Sequence, residues 1–180
     1  LKSKTQLAVL ISLLAITLYI AFAFRGVSRP VSSWKYGITS LIALFHDILI
    51  PLGVFSIMGH YYGIEITIPI IAALLTVLGF SVHDTIVVFD RIRENLSHGK
   101  GSFDEIVNVS LNQTLGRSIS TVLTTLIVLI SVFFFGGETL KYFSLALILG
   151  ITSGAYSSIF IASPLLVSWH RWSESKRDRN

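Results

Sequence analysis

Apolar residues in this chain do not alternate with polar ones; they run in long blocks broken by short segments rich in Gly, Pro, Ser or charge. A hydrocarbon core of about 30 Å takes about 20 helical residues to cross, and every backbone N–H and C=O inside it must be paired within the helix. The blocks therefore predict five transmembrane helices, near Gln6 to Phe24, Tyr36 to Met58, Ile66 to Phe89, Ile119 to Phe135 and Tyr142 to Trp169. Three of the connections, Arg25 to Lys35, Gly59 to Glu65 and Gly136 to Lys141, are short, so consecutive spans are expected to be antiparallel neighbours. The expectation is an all-α polytopic bundle, residues 1–180 forming a single transmembrane domain.

The longer connection, Asp90 to Ser118, carries a pattern of its own. Ser102-Phe103-Asp104-Glu105 has capping-box spacing. Phe103, Ile106, Val107, Leu111 and Leu115 follow at helical intervals, predicting an amphipathic helix over about 102–115. Such a helix either rests at the membrane surface against the bundle or binds a partner. Pro51, Pro69 and Pro164 predict kinks or local breaks in the spans that hold them.

Composition agrees with the pattern: 52% of the residues are hydrophobic and 13% charged, with a mean hydropathy of +0.73, which is the membrane class. The net charge of +4 lacks any basic patch interleaved with aromatics, so nucleic acid is not an expected partner. Cysteine is absent, which removes disulfides and thiolate metal sites from consideration. The first apolar block has no small-residue cleavage site after it and reads as a retained span, not a signal peptide.

Lys and Arg fix an orientation. Eleven of them fall on one side of the five-span layout (Arg25, Arg29, Lys35, Arg91, Arg93, Lys100, Arg117, Arg171, Lys176, Arg177 and Arg179) against Lys2, Lys4 and Lys141 on the other. The richer side is expected to be cytoplasmic, with the C-terminus inside and the N-terminus outside. An external start without a signal suggests that a segment precedes Leu1.

Two carboxylates fall inside the predicted spans, Asp47 near the middle of the second and Asp84 in the cytoplasmic half of the third, each preceded by a histidine, His46 and His83. An ionisable group at membrane depth costs at least about 2.5 kcal/mol, so by default it faces the bundle interior and serves an ion path or a structural pair. Arg117 opens the fourth span at a depth similar to Asp84, with Thr121 one turn further in on the same face. A carboxylate beside a guanidinium stays ionised, and one desolvated without it takes up a proton. A pair that separates and rejoins is thus a proton-transfer switch; a static salt bridge that sets helix packing is the alternative. The two His-Asp pairs show neither three converging ligands nor His at i and i+4, so no metal site is expected. Gly150 and Gly154, followed one turn on by Ser157 and Ser158, give a face suited to close helix approach within the chain or to a second membrane subunit.

The run Gly79-Phe80-Ser81-Val82-His83-Asp84-Thr85-Ile86-Val87-Val88-Phe89-Asp90-Arg91-Ile92-Arg93-Glu94-Asn95 closely resembles the signature of the SecF family, the smaller subunits of the bacterial SecDF protein-export complex, within the resistance-nodulation-division superfamily. Supporting matches are Ala43 to Asp47, Asn112 to Ser118, Phe135 to Glu138 and Tyr156 to Leu166; the His-Asp of the second span and the Tyr-Ser-Ser run favour SecF over its paralogue SecD. Members of that family have six spans with an extracytoplasmic domain between the first two. The resemblance implies a fragment without that first helix and domain. His83 stands where the family usually has Asn, which opens a local titration near neutral pH.

The resemblance further implies a subunit of the bacterial plasma membrane, not an enzyme and without cofactor, that uses the proton motive force with SecD to promote late steps of polypeptide translocation. Implied partners are SecD, the channel subunits SecY, SecE and SecG, the accessory subunit YajC, the translocating polypeptide, membrane lipid and protons. Asp84, Arg117 and Thr121 match the family's intramembrane aspartate and its partner positions; Asp47 and His83 are further candidates for proton transfer. Three other readings are a proton-coupled exporter of lipids or small molecules from the same superfamily, a non-conducting scaffold of the translocon, and an intramembrane hydrolase.

Overall fold

A computed structural model describes residues 31–98 and 101–177, together with isolated positions ahead of them. The predicted first span, Gln6 to Phe24, lies almost wholly outside the described residues. The rest is helical: α1 Ser33–Tyr62, α2 Ile68–His98, α3 Phe103–Phe135, α4 Gly137–Ser157, a π-helical turn Ser158–Ala162, and α5 Ser163–Arg177. Four stretches are long and apolar enough to cross a membrane among the described residues, α1, α2, α3 and the continuous run Gly137–Lys176. Each holds one of the four later expected spans, and the expected first span is the one almost wholly outside the described residues.

The element edges differ from the sequence reading for local reasons. The amphipathic helix expected over about 102–115 is not a separate surface helix but the first third of α3, which runs unbroken for 33 residues. Between Leu115 and Ile119 the only weak helix former is Gly116, and one interior glycine costs about 1 kcal/mol without ending a helix. Its start is as predicted: Ser102 Oγ accepts from the Glu105 N–H at 3.3 Å while Glu105 Oε2 accepts from the Ser102 N–H at 3.0 Å. α2 likewise continues past Phe89 to His98, its last turns linked by Arg91 with Glu94 at 2.6 Å and Arg93 with Asp90 at 3.7 Å. At about 1.5 Å per residue, α2 and α3 are each about 45 to 50 Å long and project beyond an apolar core of about 30 Å.

The three prolines behave differently from one another. Pro51 is buried inside α1, and Pro69 is the second residue of α2, where its missing N–H has no intrahelical partner to lose. Pro164 follows the π-turn in the middle of the last membrane run. Without an N–H it cannot continue the i to i−4 ladder, and the preceding turn widens. The Ser163 hydroxyl donates to the Ser158 carbonyl at 3.0 Å, five residues back, across the widened turn.

The apolar core has two parts along the bundle. One gathers Tyr36, Leu44, Val82, Phe89, Phe103 and Leu166; the other gathers Phe55, Val77, Val122, Leu147 and Ile151. On α1 and α4 the polar residues Asp47, Ser153 and Ser157 lie between them in sequence, and on α2 Ser81 falls just past their boundary, between Leu78 and Val82. Gly150 and Gly154 explain how α4 comes close enough to α2 for those residues to meet: a Cβ on Gly154 would stand 2.9 Å from the Ser81 Cβ, and one on Gly150 would collide with Val77. The small-residue face of α4 is therefore used within the chain.

Candidate functional site

Asp47 is fully buried, and its oxygens are enclosed by three helices. The Ser81 hydroxyl of α2 and the Ser157 hydroxyl of α4 donate to Oδ2, the latter at 2.7 Å; the Ser153 hydroxyl donates to Oδ1 at 3.2 Å, and His46 Nδ1 lies 3.1 Å from the same oxygen. Ser153 and Ser157 are one turn apart and so share a face of α4. A carboxylate has about four lone-pair sites, and here four groups occupy them. The arrangement ties α1, α2 and α4 together in a place where lipid could supply no hydrogen bond.

Asp84 is one turn along α2 from Ser81 and is in a different position. The Ser118 hydroxyl of α3 donates to Oδ1 at 2.7 Å, while Oδ2 is buried and has no hydrogen-bond partner among the described residues. An unsatisfied buried acceptor costs about 1 to 3 kcal/mol, and native structures keep few of them. Between the two carboxylates, Thr85 Oγ1 and Ser158 Oγ are 3.0 Å apart, and both hydroxyls also hydrogen-bond to carbonyls of their own helices, Ser81 and Gly154. The site is therefore a band of hydroxyls with one carboxylate fully coordinated and the other half coordinated.

Arg117 is in register with Asp84, since its neighbour Ser118 makes the contact, but its own side chain is exposed and forms no ion pair with Asp84. Thr121 is exposed one turn further along, its hydroxyl returned to the Arg117 carbonyl at 2.9 Å. They belong to an exposed polar stripe of α3 with Ser120, Thr124 and Ser131, all of whose hydroxyls bond to carbonyls four residues back. Next to that stripe, Ile119, Leu123, Ile127, Ile130 and Phe134 form an exposed apolar one. His83 is exposed beside Asp84. The structure thus brings Asp84 to Ser118, and it leaves Arg117, Thr121 and His83 on the outer surface. Among the described residues no three His, Asp or Glu side chains converge as metal ligands.

Sequence reasoning missed Ser81, Ser118 and Ser153. Serines are common in these spans, and only the spacing of Ser81 with Thr85, and of Ser153 with Ser157, hinted at shared faces. Which face meets which carboxylate depends on helix rotation, and a single chain's periodicity does not specify that.

The family model described as protein export membrane protein SecD/SecF, C-terminal, matches residues 1–172. A protein translocase subunit SecF of Thermobaculum terrenum is 54% identical over 169 residues, 93% of this chain and 52% of that protein. The SecF of Synechocystis sp. is 44% identical over 171 residues, 94% of this chain and 52% of that protein. A crystal structure of SecDF, a translocon-associated membrane protein from Thermus thermophilus, matches with a TM-score of 0.83 and 43% identity, covering 93% of this chain and 22% of that one. The chain spans about half the length of the SecF relatives it matches.

Proposed function

The chain belongs to the SecD/SecF family of protein export membrane proteins, and from that premise we propose that it is the membrane half of a SecF subunit that couples proton movement to late steps of polypeptide translocation. Asp84 is the proton-exchanging group. The observation that carries this is the buried Oδ2 without a partner among the described residues, beside the hydrogen-bonded Oδ1: that oxygen has room for one more proton or one more donor. Arg117 and Thr121, on the exposed face of the helix that contacts Asp84, are the groups whose approach alters its charge. At 100 mV one proton crossing the membrane carries about 2.3 kcal/mol from the potential alone, enough to bias a rearrangement of a helix bundle.

The neighbour across the polar stripe of α3 is SecD, a reading supported by the SecDF of Thermus thermophilus, whose name joins the two in one chain. The basic end of the bundle faces the cytoplasm, following the asymmetry of Lys and Arg. No chemistry on a bound substrate is required, so the subunit is a transport component and not an enzyme, and the channel subunits and exported chain are partners of the whole assembly.

The test is to replace Asp84 with Asn in the full-length protein and follow maturation of a signal-bearing protein in cells depleted of their own SecF. Export is expected to fall to the depleted level while the variant still co-purifies with SecD. Export at the wild-type rate would overturn the proton assignment and leave the scaffold reading, to which the fully coordinated Asp47 already lends support as a packing element.

A further inference from the structure

The end of the bundle where α1 begins and α5 finishes carries a cluster that the proton site does not use. All three tryptophans of the chain are there, Trp34 on α1 and Trp169 and Trp172 on α5. Trp34 meets Trp169 edge to face at 5.0 Å, and Trp34 and Trp172 remain more than half exposed. Lys35 is only 8% exposed. Its ammonium donates to Ser173 Oγ at 2.5 Å and stands 5.9 Å from the Trp169 ring centroid. One turn further along α5, Lys176 lies over the Trp172 ring at 4.0 Å.

Neither lysine has a carboxylate partner among the described residues, and the described carboxylates of this end are engaged elsewhere: Asp90 with Arg93, Glu94 with Arg91, Asp104 with Arg171, Glu174 with His170, and Glu105 with the backbone of its own cap. An ammonium has three donors, and Lys35 fills one of them with a neutral hydroxyl. It also sits in the first turn of α1, where the helix dipole is positive and no acidic residue is present. A buried cation at a positive helix end, without a counter-ion among the described residues, is costly unless an anion is brought to it.

We propose that Lys35, Ser173 and Lys176, flanked by Trp34 and Trp172, form a binding site for the phosphate of an anionic phospholipid. The charge is complementary, and the exposed indoles are of the kind that settle at headgroup level, with an apolar body toward the acyl chains and an N–H toward water. Ser173 and Lys176 share one face of α5, and Lys35 reaches Ser173 from α1, so a phosphodiester placed at Ser173 faces Lys176 and the inner ammonium of Lys35 together. A lipid seated there holds the start of α1 against the end of α5.

The test uses the full-length protein and native mass spectrometry after exchange into micelles containing phosphatidylglycerol or phosphatidylcholine. Wild type is expected to retain phosphatidylglycerol in preference to phosphatidylcholine, and each of Lys35→Gln and Lys176→Gln to lower that preference about fivefold. Lys176 is exposed, so Lys176→Gln keeps the proposal testable if Lys35→Gln does not fold. Equal retention of the two lipids by wild type, or a preference untouched by Lys176→Gln, would overturn the site. So would displacement of the retained lipid by millimolar inorganic phosphate with the same affinity, since that would make free phosphate the ligand.

Discussion

Asp47 and Asp84 are the same side chain placed one or two turns apart in depth, and their surroundings dictate opposite responses to the same substitution. An amide at position 47 turns one acceptor into a donor facing either the Ser153 hydroxyl or the Ser81 and Ser157 hydroxyls, all of which now donate to the carboxylate. Asp47→Asn is expected to destabilise the protein by about 2 kcal/mol, because one buried donor group loses its acceptor. At Asp84 one oxygen has no partner to lose, and Asn retains the acceptor for Ser118, so Asp84→Asn is expected to cost less than about 1 kcal/mol. Denaturant or thermal unfolding of the full-length variants in one detergent checks both, and a larger loss for Asp84→Asn than for Asp47→Asn would show that the two environments have been assigned the wrong way round. Both aspartates were legible in the sequence as groups the membrane should not tolerate. Their different coordination was not, because it is set by hydroxyls contributed from helices 34 to 110 residues away.

At the scale of elements, the closest packing is between α2 and α4. Gly154→Ala puts a methyl 2.9 Å from the Ser81 Cβ, and since Ser81 is held by Asp47, the backbones must separate. Overpacking of this kind costs about 1 to 3 kcal/mol. Gly79 lies on the outer side of the same α2, and an added Cβ meets nothing within 4 Å, so Gly79→Ala is expected to stabilise by about 0.5 to 1 kcal/mol through helix propensity alone. Opposite signs for the two glycines in one unfolding assay are the expected outcome, and the same sign would remove the packing role of Gly154. Ser102→Ala, which deletes the capping hydroxyl of α3, is expected to cost about 1 kcal/mol in that assay. The sequence announced this cap through local spacing, and it announced the membrane runs through hydropathy. The continuity of α3 was hidden because its first third is amphipathic and its remainder is apolar, a change of environment along one helix that a pattern reading takes for a change of element. The π-turn was hidden for a related reason: Pro164 marks that the ladder must break, but whether the helix kinks, stops or widens depends on what Ser163 can reach.

For the molecule as a whole, α3 faces outward along most of its length. Its two exposed stripes differ in kind, and that difference decides what should cover each. The apolar stripe of Ile119, Leu123, Ile127, Ile130 and Phe134 suits acyl chains. In the polar stripe the hydroxyls of Ser120, Thr121, Thr124 and Ser131 are already bonded to their own helix, which makes them tolerable in lipid, but Arg117 has no such partner among the described residues. A guanidinium at the membrane edge, one residue from the contact to Asp84, calls for a protein neighbour with acceptors. Because the chain contains no cysteine, single cysteines can be introduced at Thr124, in the polar stripe, and at Gly79, on the outer side of α2, with SecD carrying a cysteine on its facing helix. A short bifunctional crosslinker is expected to join Thr124→Cys to SecD and to leave Gly79→Cys unlinked, as read by a shifted band on gels. Crosslinking of Gly79→Cys but not Thr124→Cys would place SecD on the opposite side of the bundle. Asp84 would then lie away from the subunit interface, and the movement that changes its charge would have to arise within this chain, between α2 and α3.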